Sequence, residues 1–349
     1  MIILRSASIA VASSFLATAL VLPQYSRSGG ETHSDKMADA LSRGMWIWNS
    51  DEVLDPTIEI HNLISGAQAA EATDLFLYTA PESYTSRTSR LSTFITNATA
   101  AGLRVWGLDG DRGYFADAGG PAMFYNGIKN LIAYNSGVPT NARFFGFQAD
   151  NEPQDHGNYR GFHNGIADTV LSKKPGSGVW QSTQAQDREM LMCNWLSMHQ
   201  TAERLLHAQG LRFGVAMPWW TEDYEGGELM LSFPEAASKR QGVMKHMMGM
   251  VDDYVVMSYN TDPANAVARV HAQAAYASSL PASRRPRVYA SVEVTPGIGV
   301  NVSYADTKGK CAKAVVLQDV GTITKALRHL SAFSGVAIHH WSAWQAMPP

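Results

Sequence analysis

The feature that most restricts this 349-residue chain is a rhythm of eight short apolar runs, each closing on polar residues. They cover residues 44–49, 74–79, 103–109, 144–152, 211–218, 253–260, 287–294 and 335–341. Between them, helical periodicity spans residues 57–70, 89–101, 121–134, 187–209, 234–250, 264–279 and 322–333. Strands buried on both faces read as continuous apolar runs, and parallel neighbours need a crossover between them, ordinarily a helix. Eight such units without a break in composition predict one α/β domain, a (β/α)8 TIM barrel over residues 44–349. A doubly wound open sheet is the competing architecture, but no glycine-rich dinucleotide fingerprint follows the first run. No clear helix follows the eighth run. Either residues 35–41 cover that face or the barrel is incomplete there.

Residues 1–23 combine Arg5 with an apolar stretch over residues 7–22, the pattern of a secretory signal peptide, and residues 24–43 form a polar N-terminal linker. Two sequons, at Asn97 and Asn301, fit a secreted, extracellular glycoprotein. The two cysteines, Cys193 and Cys311, allow one disulfide, which sequence alone leaves open. A net charge of −3 with no Lys/Arg cluster argues against a nucleic-acid partner, and no membrane partner is expected once the signal is removed.

In a barrel of this kind, chemistry collects at the C-terminal ends of the strands. Those ends carry Asp109, then Asp150 with Asn151 and Glu152, then Tyr259, Glu293, and His339 through Trp341. Glu152 closes the fourth run and Glu293 the seventh, so barrel closure would carry both to one mouth. Such a pair is what glycoside hydrolysis needs: one acid for the leaving oxygen, one base or nucleophile at the anomeric carbon. Trp46, Trp219 and Trp220 sit beside strand ends, where flat rings stack on the apolar faces of ligands; Glu222 and Asp223 would extend such a wall. Tyr259 and Trp341 also suit core packing, and Asp109 and Asp111 also suit loop capping. Adjacent strand residues point to opposite faces, so His339 and His340 cannot both meet one ion; one is a pocket wall, and neither metal nor cofactor is expected. No Gly-x-Ser-x-Gly elbow follows a strand, which disfavours a serine hydrolase.

The run Phe147-Gln148-Ala149-Asp150-Asn151-Glu152-Pro153 resembles the Asn-Glu-Pro signature of glycoside hydrolase clan A barrels and the Trp-Gln-x-Asp-Asn-Glu run of barrel β-galactosidases within that clan. That resemblance implies Glu152 as acid/base, Glu293 as nucleophile, Asn151 on the sugar 2-hydroxyl, Tyr259 hydrogen-bonded to the nucleophile and Trp341 flooring the sugar site. A second resemblance, to family 18 chitinase-like barrels, rests on residues 145–152 and on Met257-Ser258-Tyr259-Asn260. It implies substrate-assisted hydrolysis of N-acetylglucosamine-containing glycans through Asp150, Glu152 and Tyr259, with no role for Glu293. In this chain Phe145 and Gln148 replace the first two aspartates of that motif. A secreted carbohydrate-binding barrel without catalysis is the alternative from another class; a working acid/base pair would separate the two by a bell-shaped pH profile.

Overall fold

All eight apolar runs become strands of one closed cylinder. The computed structural model describes residues 41–110, 114, 119–152, 185–222 and 227–349. The expected signal peptide, most of the linker, Asp111, Pro153 with the segment after it, and Asp223 lie outside the described residues. The strands are β1 (Ser42–Ile47), β2 (Asp74–Tyr78), β3 (Arg104–Asp109), β4 (Gly146–Ala149), β5 (Arg212–Pro218), β6 (Met230–Ser232), β7 (Arg240–Gly242), β8 (Asp253–Met257), β9 (Arg287–Glu293) and β10 (Phe333–His339). The barrel runs β1-β10-β9-β8-β5-β4-β3-β2 and closes on itself, every pairing parallel; β6 and β7 form a separate antiparallel hairpin.

Strand alternation divides the apolar residues into two layers. Trp46, Phe76, Trp106, Val255, Met257, Tyr289 and Ala337 fill the cylinder, while Met45, Leu75, Val105, Phe147 and Phe213 face the helices. Inside, Phe76 lies 5.3 Å from Trp46 and 6.0 Å from Trp106, ring centroid to ring centroid. Rings this large need small neighbours: a Cβ on Gly146 would stand 2.5 Å from the Trp106 ring. Each large apolar side chain so buried contributes about 1.5–3 kcal/mol. The seam between first and last strands turns on Gly335, whose φ of +145° and approach to the Ser42 backbone exclude a side chain.

Two helices differ from their sequence patterns. Residues 234–250 were expected to form one helix, but the structure spends 230–242 on the β6–β7 hairpin and leaves only Val243–Met248 helical. Gly242 interrupts the helical period from within, and Leu231 on β6 is fully buried. The helix expected at 322–333 instead begins at Lys313 and ends at Leu327. The eighth unit is complete: a short helix, Trp341–Ala346, follows β10 and packs on β1 and β10.

The N-terminal end of the cylinder is floored by charge. Asp74 accepts from Arg104 at 2.7 and 2.6 Å and from Trp106 Nε1 at 2.9 Å. Asp253 accepts from Arg212 at 2.9 and 2.7 Å, from Arg287 Nε at 2.7 Å and from the Tyr289 hydroxyl at 3.1 Å. Burial alone would raise the Asp74 carboxyl, but hydrogen bonds and charge from Arg104, with Arg287 and Trp106, outweigh it and hold it below the usual carboxylate value.

A second ionic contact fastens helix Ala185–His207 to the same end. His207 Nδ1 is 2.9 Å from Glu203 and Nε2 is 2.8 Å from Asp252, and these bonds, Asp252 first, push the imidazole up to about 9 against the effect of burial. A raised histidine contributes stability that is complete below its unfolded value near 6.5 and is lost as pH climbs through about 9. Thermal midpoints are therefore expected to fall between pH 7 and pH 10 in the native protein. They should fall measurably less in His207→Gln.

Both sequon asparagines are exposed, Asn97 within helix Thr88–Ala100 and Asn301 at a φ of 66°. The possible disulfide is not formed. Cys193 is half-buried with its thiol 3.5 Å from the Ser232 carbonyl, Cys311 is exposed, and both are free. Among the described residues, no helix is long and apolar enough to cross a membrane.

Candidate active site

Alternation places one residue from each of several strands at the C-terminal mouth, facing inward. On β9, Arg287, Tyr289 and Ser291 point into the cylinder, so Glu293 does too; on β10 the same parity brings Ala337 and His339 inward. Register makes His339 and Glu293 direct partners across the two strands. After β4, Gln148 and Asp150 share the inner parity, and Glu152 follows two residues on. Trp48 continues β1 from Trp46, Tyr78 ends β2, and Tyr259 continues β8 from Met257; all three pack against the inner layer.

Glu293 is 2% exposed, yet both of its oxygens are engaged. Oε1 accepts from the Thr295 backbone N–H at 2.7 Å, and Oε2 lies 2.8 Å from His339 Nδ1. The expected hydrogen bond from Tyr259 to Glu293 is absent among the described residues; His339 and Thr295 are the donors instead. Tyr259 is nevertheless central. Burial, and then the negative charges of Glu293, Asp150 and Glu152, hold its hydroxyl well above the ordinary phenol value. The charges of Glu293 on β9 and of Asp150 and Glu152 just past β4 thus all bear on this one phenol.

Asp150 is the least comfortable of the three. Burial pushes its carboxyl up to about 6. Among the described residues its Oδ1 has no partner, nor does either polar side-chain atom of Gln148 below it or of Asn151 beside it. The Asn151 carbonyl accepts from Trp195 Nε1 at 2.8 Å. Glu152 is half-buried and engaged with its surroundings.

Several residues singled out in the sequence belong elsewhere. Trp46 is wholly buried inside the cylinder, one inward position below the mouth, and cannot meet a ligand. Trp341 does not floor the mouth: it opens the last helix and its ring packs on Gly66, where a Cβ would approach it to 2.4 Å. Asp109 faces the helices; it accepts from the Gly110 N–H at 2.8 Å and from the Tyr114 hydroxyl, and it lies against Gly127, so it braces a loop. Trp219 carries the Arg269 guanidinium 4.5 Å from its ring centre, and both it and Trp220 pack against the outer layer. In the other direction, Trp48 escaped notice although it shares parity with Trp46, and that parity was the available signal. The His339 and His340 rings are 5.2 Å apart. Among the described residues, no cluster of three His, Cys, Asp or Glu side chains could hold a metal ion.

Fold and site together define a closed (β/α)8 barrel with a group of carboxylates at its C-terminal mouth. No family model matches the sequence, and no curated protein does. Among solved structures, the endo-1,4-beta-mannanase of Rhizomucor miehei is similar over 86% of this chain and 85% of its own, at 10% identity and a TM-score of 0.50. The chitinase of Chromobacterium violaceum ATCC 12472 matches 72% of this chain and 68% of its own, at 12% identity and a TM-score of 0.38. The Bacillus cereus spore cortex-lytic enzyme SleL matches 72% of this chain at 12% identity and a TM-score of 0.40, and the chain spans only 51% of that longer protein. At such identities the likeness to the mannanase is one of fold.

Proposed function

We propose that this protein is a retaining glycoside hydrolase, cleaving O-glycosidic bonds of a poly- or oligosaccharide with Glu293 as nucleophile and Glu152 as acid/base. The observation that carries it is Glu293, buried at the end of β9 with its two oxygens held by Thr295 N–H and His339, and facing the mouth at which Glu152 follows β4. Glu293 attacks the anomeric carbon while Glu152 protonates the departing oxygen; Glu152 then takes a proton from the water that hydrolyses the glycosyl ester. The mannanase likeness supports the carbohydrate reading as a fold that elsewhere binds such chains. Incubation with a panel of neutral polysaccharides, followed by proton NMR of the first-formed anomer, tests it: retention is expected. Inversion, or no cleavage of any glycan, would overturn it.

Substrate-assisted hydrolysis is favoured by one observation, the raised carboxyl of Asp150 next to Glu152 on the inner face. Against it stands Gln148, fully buried beneath Asp150 where a second carboxylate is needed. Asp150 supplies a pH prediction under either mechanism. Its folded value is raised, so the group is neutral below about 6 and charged above. An inflection near that pH is expected in kcat/KM and should vanish in Asp150→Asn.

We also propose that the protein acts outside the cell, from its N-terminal pattern and from the accessibility of Asn97 and Asn301. A mass shift removable by an N-glycan amidase, after secretion from a eukaryotic host, is the expected result.

A further inference from the structure

His339 has both ring nitrogens committed. Trp48 Nε1 lies 2.8 Å from its Nε2, and its Nδ1 lies 2.8 Å from Glu293 Oε2. An indole N–H can only donate, so Nε2 accepts, the ring proton resides on Nδ1, and Nδ1 donates to the carboxylate. An imidazolium would set two N–H groups against each other at Nε2. The ring is also walled in, with centroids of Trp46, Tyr259 and Trp48 at 5.6, 5.9 and 6.4 Å. Behind it, the backbone is pinned: the Val294 N–H donates to the His339 carbonyl at 2.8 Å.

We propose that His339 is a positioning residue for Glu293, locked by Trp48 as the neutral Nδ1–H tautomer. The assignment rests on the reading of Glu293 as nucleophile. Its physical content lies in the word neutral. A nucleophilic carboxylate must be aimed, which needs a donor on each side, and must keep its negative charge, which a cation in contact would partly cancel. Thr295 N–H and neutral His339 aim both oxygens without a compensating charge. Trp48 decides which imidazole nitrogen carries the proton and so which way the donor faces. One hydrogen bond from β1 thereby sets the direction of a carboxylate on β9.

The test combines spectroscopy with kinetics. In long-range proton–nitrogen spectra of nitrogen-15-histidine protein, with the His339 signals assigned by their loss in His339→Asn, Nδ1 is expected to be protonated and Nε2 bare. Trp48→Phe should release the ring to a mixture of tautomers and lower kcat about tenfold, the scale of one lost hydrogen bond, with KM little changed. His339→Ala should lower kcat about a hundredfold through a misaimed nucleophile. His339→Asn should recover much of that loss, because its side-chain amide can donate from nearly the same place as Nδ1. A wild-type ring protonated on Nε2, or a Trp48→Phe variant with native kcat, overturns the proposal while leaving the glycosidase reading intact. If the Nδ1–H tautomer is found but no glycan is cleaved, the glycosidase reading fails and the positioning role falls with it.

Discussion

Glu293→Gln is expected to remove turnover without unfolding the barrel. The amide keeps the size of the carboxylate, so packing at this buried position is nearly conserved, but its one oxygen can accept from only one of Thr295 and His339, which the native carboxylate engages through separate oxygens. What disappears is the negative charge that attacks carbon. Losses on the order of 10²–10⁴ accompany removal of one acid or base from such a pair, and a lost nucleophile belongs at the upper end. Glu152→Gln should be comparably slow on natural glycans, yet much less impaired on aryl glycosides whose leaving group needs no proton. That split distinguishes the two roles: only Glu152 acts on the departing oxygen. Near-native activity of Glu293→Gln, with an unchanged thermal midpoint, would remove Glu293 from the mechanism and leave the substrate-assisted route through Asp150 and Glu152.

The second large effect is expected at the other end of the barrel and has nothing to do with catalysis. Asp253 is 2% exposed and holds both Arg212 and Arg287. Asp253→Ala leaves two guanidinium groups facing each other in a partly buried floor, a loss on the order of 3–5 kcal/mol. Domains of this size are stable by only about 5–15 kcal/mol, so the thermal midpoint should fall by roughly ten degrees. From Arg287 to Glu293 is six residues of strand, about 20 Å. The fraction that stays folded should therefore keep its kcat. A midpoint within two degrees of the native value would refute the view that the floor is a stabilising element.

The barrel was legible in the chain because its signal is redundant: eight runs and the crossovers between them vote independently, and an error in one segment, such as 234–250, leaves the count intact. That Glu152 and Glu293 fall at the ends of barrel strands was legible for a related reason, since each closes a run of buried apolar residues. The supporting residues were not. Trp46, Trp48 and Trp341 all sit at strand ends in the sequence, and only register and the depth of the inner layer tell that the first is core, the second reaches His339, and the third turns outward onto Gly66. Asp109 obeys the strand-end rule in position but not in direction: it takes the outer parity of β3, where the Gly110 N–H and the Tyr114 hydroxyl claim its carboxylate. Identity of residue type could not separate these cases; parity could, and for Trp48 it would have sufficed.

The seam at Gly335 has a consequence for how the protein comes into being. Trp48 and His339 are 291 positions apart in the chain, and they meet only when β10 docks against β1. During synthesis the first strand waits, one edge unpaired, while the intervening crossovers are assembled, and contacts of such long range are the slow ones to form. A partial cylinder complete through β9 carries both Glu152 and Glu293 but still lacks the contact between Trp48 and His339. The mouth around Glu293 is thus completed late and in one step, with the arrival of the last strand.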